Sequence, residues 1–150
     1  ERVIAASAAP VANTGNTTEN TLVTVSVPGN ILGPNGFIEV WTMWTTTGNT
    51  NTKTMKVKYS TAVLNTLTHN TAVQTTAAPV GRMQNRNATN SQISTVNQTV
   101  GVTGFVGGSF NTSAIDTTAA QNITLTAQCV TSGTDTITLE AYVVKAVYMP

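Results

Sequence analysis

Apolar and polar residues alternate along much of this chain, and Gly, Pro and Asn interrupt the alternation at short intervals. A period of two belongs to strands whose faces meet different surroundings. Thr21 to Val27 puts Val23, Val25 and Val27 on one face and Thr24 and Ser26 on the other. Phe37 to Thr47 is the longest early strand. Lys53 to Ser60 places Met55, Val57 and Tyr59 opposite Lys56 and Lys58. Arg2 to Ser7 and Val80 to Asn87 read as further strands. Val63, Leu67 and Val73 belong to one or two short ones, and Ser91 to Val96 and Val100 to Val106 are weaker segments.

Near the end, Ile123, Leu125, Ala127 and Cys129 alternate with Thr124, Thr126 and Gln128. After the turn residues Ser132 to Asp135, Ile137, Leu139, Ala141 and Val143 alternate with Thr138, Glu140 and Tyr142. These two strands are expected to form a hairpin. Asn111 to Ala120 reads as a loop, with room for one helical turn at Ser113 to Thr117. Good helix formers are scarce. About eight to ten short strands at hairpin spacing, with no helices to cover a parallel sheet, predict one all-β domain over residues 1–150. Its architecture is an antiparallel β-sandwich of jelly-roll type.

The strand Phe37 to Trp44 refines this picture. Carboxylates are rarely buried unpaired, so Glu39 should avoid the core. Its phase then carries Phe37, Trp41 and Met43 outward, and Ile38, Val40, Thr42 and Trp44 inward. Three large apolar groups on an outward face make a patch of the kind that marks interfaces. Three accounts stand: a covering loop, a subunit interface, or a ligand platform. In the final strand, Glu140, Tyr142, Val144 and Tyr148 share one phase. Lys145 falls in the inward phase, which calls for a bulge or the end of the sandwich near Val144. Tyr142 and Trp41 are thus candidates for one oligomer contact.

Composition limits the chemistry. Charged residues make up 9% of the 150, and about one residue in five is Thr. Thr gives a wettable face without charge and is stiff enough to suit a strand. A net charge of +1 leaves no electrostatic footprint for nucleic acid or an anionic membrane. No apolar run approaches the ~20 residues of a membrane helix. One Cys and one His cannot complete a zinc site. His69 reads as a solvated loop residue. The six acids form no local pair of the kind a glycosidase needs, so no catalytic residue, metal or cofactor is expected. Lys56 with Lys58, and Arg82 with Arg86, share strand faces and are candidates for an acidic sugar or acidic partner, with ordinary solvated charge as the simpler account.

Several pieces of sequence, in order, resemble a known kind of module. Trp44 precedes Asn51-Thr52-Lys53-Thr54-Met55-Lys56-Val57. Gln84-Asn85-Arg86-Asn87 follows, then Asn90-Ser91-Gln92, Ile115-Asp116-Thr117, Gln121 to Gln128, and Asp135 to Tyr142. This series resembles the jelly-roll modules of tailed-bacteriophage tail fibres, tail-needle knobs and head appendages, and it covers about Thr21 to Val144. The chain departs from that pattern at Trp41, where a small polar residue is usual, and at Lys56 and Lys58, where Arg is common. The resemblance implies a virion protein exposed on the particle surface, homotrimeric, touching other virion proteins. It implies attachment to a bacterial surface glycan or decoration of the particle, and it carries over no catalytic residues. It also allows the domain to be the terminal module of a longer fibre protein.

Overall fold

The computed structural model describes residues 1–95, 97–99 and 110–150. Among these residues there are thirteen strands and no helix. In chain order they are β1 (Arg2–Ser7), β2 (Val11–Thr14), β3 (Asn20–Val27), β4 (Phe37–Thr46), β5 (Lys53–Tyr59), β6 (Ala62–His69), β7 (Thr76–Ala77), β8 (Val80–Asn85), β9 (Gln92–Thr95), β10 (Asn97–Thr99), β11 (Phe110–Ser113), β12 (Gln121–Cys129) and β13 (Thr136–Val147). They form an eight-stranded sheet and a five-stranded sheet.

Eight principal strands define the topology. With β1, β3, β4, β5, β6, β8, β12 and β13 counted first to eighth, one sheet runs 1-8-3-6 and the other 2-7-4-5. That order is the double Greek key of a jelly roll. The other five strands are additions. β9 and β11 extend the first sheet past β8, while β2 and β7 pair with β13 and β4. β10 lies parallel to β6, and every other pairing is antiparallel.

The inner faces make one core, as the alternation requires. Ile38, Val40 and Trp44 come from β4, Met55, Val57 and Tyr59 from β5, and Ile123, Leu125 and Ala127 from β12, all buried. Trp44 donates its indole N–H to the Thr42 hydroxyl at 2.8 Å, which lets both polar atoms stay inside. The sheets approach closely at Gly81, where a Cβ would lie 3.2 Å from the Leu64 Cβ. No side chain larger than hydrogen fits there without a shift.

Several expectations need correction. β12 and β13 do not form a hairpin, because they lie in different sheets and the Val130–Asp135 connection crosses the sandwich. Asn111 to Ala120 begins with strand β11, and its Ser113 to Thr117 stretch holds no helical turn. His69 is not a solvated loop residue but the buried last residue of β6. The bulge in the last strand comes earlier than expected. Leu139 pairs with Trp44 and Ala141 with Met43, so Glu140 is the extra residue. The phase flips there. Val144 and Ala146 are buried, Tyr142 packs against the core, and Ala141, Val143 and Lys145 turn outward. The early flip takes the Lys145 ammonium out of the core, where it lies 3.4 Å from Glu1 Oε1. Val100 to Val106 and Gly107-Gly108 lie outside the described residues.

Candidate functional site

The outer face of the eight-stranded sheet carries the apolar residues that the phase of Glu39 predicted. Trp41 is 48% exposed and Met43 57% exposed, while their neighbours Val40, Thr42 and Trp44 are buried. Strand registers build the patch around them. Ala6, Val143, Trp41 and Val80 form one cross-sheet row. Ala141 and Met43 stand opposite each other in the next. Trp41, Met43, Ala141 and Val143, with Ala78 and the Lys145 stem, line an open depression of about 330 Å³. Its lining is almost wholly apolar, and Trp41 and Met43 are its large exposed groups.

A charged row borders the depression. Lys145 pairs in register with Glu39, and Glu39 with Arg82. The Trp41 indole donates to Glu39 Oε1 at 2.6 Å, which fixes the ring on the sheet. The Arg82 guanidinium lies 4.0 Å above the Phe37 ring, a cation–π contact. Phe37 is therefore partly covered and belongs to the border more than to the depression. Of the four residues expected at an oligomer contact, Trp41 and Met43 stand out fully. Tyr142 packs against the core from the opposite phase, although it still touches the rim. The bulge substitutes Ala141 and Val143 for it, which the sequence concealed because Glu140 looked like an ordinary outward residue.

The five-stranded sheet presents a different outer face. Thr24, Thr124 and Lys58 form one row across it, and Thr21, Thr126, Lys56 and Thr66 another. Lys56 and Lys58 share this face as expected, but they are not free cations. Glu19 accepts from Lys56 at 2.8 Å, from Lys58, and from the Thr126 hydroxyl at 2.9 Å. Partial burial pushes the Glu19 carboxyl up, but these donors outweigh it and bring it from 4.5 to about 2. An internal carboxylate thus holds the place that an acidic ligand would take. Arg82 and Arg86 form no shared site, since Arg86 lies past the end of β8 in the turn to β9.

Four of the residues that carried the resemblance, Asn85, Gln92, Ile115 and Thr117, meet inside the molecule. Gln92 donates to Asn85 Oδ1 at 3.1 Å and to the Ile115 carbonyl at 2.9 Å, and its own oxygen accepts from the Ile115 N–H at 2.8 Å. Asn85 donates to the Thr117 hydroxyl at 3.0 Å and the Gly33 carbonyl at 2.7 Å. This buried amide network satisfies the backbone of the segment that feeds β12. Asn85, Gln92, Ile115 and Thr117 thus tie the β8–β9 end of the sheet to the segment that leads into β12.

A second buried polar cluster sits at the start of β5. Cys129, Lys53 and His69 form an inward row across the five-stranded sheet, and all three are buried, as is Asp135. Lys53 Nζ donates to Asn49 Oδ1 at 2.6 Å and to the Asn51 carbonyl at 2.9 Å, and lies 3.5 Å from Asp135 Oδ2. Asn49 in turn donates to Asp135 Oδ1 at 2.7 Å. Burial works to raise the Asp135 carboxyl, but Asn49, Asn51 and the Lys53 charge hold it below the usual value. Burial and the Lys53 charge push the His69 imidazole down, toward its neutral form. Its Nδ1 lies 2.5 Å from the Thr46 hydroxyl, and its buried Nε2 has no partner among the described residues. Sequence reasoning missed this cluster. The available signal was phase, since Lys53 falls on the same face as Met55, Val57 and Tyr59.

Among the described residues no group of three His, Cys, Asp or Glu could hold a metal ion. Asp116 caps its own turn through Thr118 instead, and Asp135 is engaged by Lys53 and Asn49. No protein-family model matches the chain, and no curated protein matches it significantly.

Proposed function

We propose that this chain is a non-enzymatic jelly-roll module of a tailed-bacteriophage particle. It acts as a fibre-tip or appendage domain that assembles with copies of itself and meets glycan on the host surface. The observation that carries the assembly half is the apolar depression around Trp41 and Met43 on the outer face of the eight-stranded sheet. Exposed apolar patches rimmed by charge are the usual form of a protein–protein contact. The occupant is a second copy of the chain. The row Lys145, Glu39, Arg82 sets both signs of charge side by side at the edge of the patch, which a contact with another copy can match. The jelly roll itself is common to capsid and lectin domains, which supports a virion role. A trimer is the state that the resemblance favours.

The glycan half rests on the Thr- and Asn-rich exterior, since sugar sites use hydroxyls, amides and aromatic faces. The second reading is a decoration module that stabilises the particle without a receptor. The neutralised Lys56–Glu19–Lys58 group favours that reading, because it removes the cations that an acidic sugar would seek. Two measurements separate the readings. Solution mass tests assembly, and a monomer at micromolar concentration would refute it. Binding of the intact oligomer to cells or a glycan array tests attachment, and its absence across the host surface would leave decoration.

A further inference from the structure

We propose that Lys53 and Asn49 form an intramolecular isopeptide bond, with Asp135 as the proton shuttle. This goes beyond the assembly reading and does not depend on it. The geometry brings the three parts of an amide-forming reaction together. Lys53 Nζ is the nucleophile, its side chain wholly buried and its amine on the Asn49 carboxamide oxygen at 2.6 Å. Asn49 Cγ is the electrophile. Asp135 touches both reacting groups: Oδ2 lies 3.5 Å from the Lys53 amine, and Oδ1 accepts from the Asn49 Nδ2 that must leave, at 2.7 Å. The carboxylate side chain is only 2% exposed, so little water reaches the site to compete as nucleophile.

The atoms balance without an oxidant or added reagent. The Asp135 carboxylate takes one proton from the Lys53 ammonium. The neutral amine attacks Asn49 Cγ and gives a tetrahedral adduct. Asp135 returns the proton to Nδ2, the Cγ–Nδ2 bond breaks, and nitrogen leaves as ammonia, which picks up the second proton shed by the Lys53 nitrogen and departs as ammonium. The product is a secondary amide from Lys53 Nζ to Asn49 Cγ. It closes the β4–β5 connection covalently, at the end of the sandwich where Asp135 enters β13. The simpler account is a permanent ion pair, which differs from the proposal in mass.

The test is the intact mass of the purified full chain, followed by peptide mapping. The expected result is a chain lighter than its sequence by one ammonia. A linked peptide should join Asn49 to Lys53, and a lysine-specific protease should fail to cut after Lys53 in denaturant. Asp135→Asn, which keeps the size of the shuttle, and Asn49→Ala should each restore the sequence mass and the cut. Asn35-Gly36 can also lose ammonia by closing to a cyclic imide, so ammonia loss mapped there with Lys53 cleavable overturns the proposal. Loss of one water with a Lys53–Asp135 link overturns the choice of Asn49. A folded wild-type chain at full sequence mass overturns the proposal outright, whatever the variants do.

Discussion

The two outer faces of this sandwich are built from the same period-two strands, yet they prepare for different neighbours. On the eight-stranded sheet the outward phase collects Trp41, Met43, Ala141 and Val143. On the five-stranded sheet it collects Thr24, Thr124, Thr126, Lys56 and Lys58. Water wets the second face at little cost, while the first leaves two large apolar side chains about half exposed. Alternation alone decides which residues leave the core. What they do outside depends on residue type and on one irregularity, the extra residue Glu140, which rotates half of β13 and turns Ala141 and Val143 toward Trp41.

The largest test of this contrast shifts the phase once more. Glu140 is the extra residue, so deleting it would leave Leu139 on Trp44, Ala141 on Met43 and every later side chain on its present face. Inserting one Ala after Ala141 instead moves the rest of β13 by one position. Tyr142, Val144 and Ala146 would then face solvent, and Val143 and the Lys145 ammonium would face the core. Burying an unpaired ammonium and losing two fully buried side chains is comparable with the ~5–15 kcal/mol of a typical domain's stability. The expected outcome is a chain with no cooperative thermal transition. A cooperative transition near the wild-type temperature would show that β13 absorbs the insert in a second bulge.

The second test acts on the outer face alone. Trp41→Lys leaves the core untouched and keeps β4 in register, so the subunit's own stability should change by no more than about 0.5 kcal/mol. Under the assembly reading the same change places a charge in the contact and removes an aromatic anchor. Such anchors are worth about 2 kcal/mol or more, or about thirtyfold in dissociation constant. Sedimentation across a dilution series would read this. An unchanged mass with unchanged melting would place the contact elsewhere.

The contrast was legible in part. Glu39 fixed the phase of β4 because a carboxylate has few places to go, and Trp41 and Met43 followed from it. The polar face was equally plain in the Lys56, Lys58 and Thr124 alternation. The pairing of β12 with β13 was misread because short polar connections serve hairpins and sheet crossings equally well. Nothing local in Ser132 to Asp135 distinguishes them. Glu140 hid its bulge because a carboxylate near the surface looks the same in either register. Glu19 was invisible as a partner of Lys56 and Lys58, since 37 or 39 residues of chain separate them and only the β3–β12–β5 order brings them together. Lys53 and His69 were hidden for a like reason, because their burial depends on Asp135 and Thr46 arriving from the other sheet.

Acid offers a smaller and more specific probe of the polar face. Glu19 has its carboxyl lowered from 4.5 to about 2 in the folded chain. A depressed carboxyl contributes stability that is fully present above about pH 5 and is lost as pH falls toward 2. The side chain is 29% exposed, so solvent screening keeps the contribution to about 1 kcal/mol. Glu19→Gln should therefore lower stability by about that amount at pH 7 and match wild type near pH 2. Denaturant midpoints at both values would check it. An equal deficit at both would assign the loss to packing and not to charge.

The smallest effect expected is that of removing one lysine from the same group. Lys58→Gln leaves Glu19 with Lys56 and the Thr126 hydroxyl as donors, so the carboxylate keeps two of its three partners. An exposed ion pair is worth about 0.2–1 kcal/mol, and here a second cation takes up part of the loss. The expected change is about 0.3 kcal/mol, falling further in molar salt as the Debye length shrinks to about 3 Å. The double change Lys56→Gln with Lys58→Gln should cost more than the sum of the singles, because only then does Glu19 lose every cation. Additive losses would mean that the two lysines hold Glu19 independently. Weakened binding to cells by either variant would move these lysines from the fold's internal economy to the receptor surface.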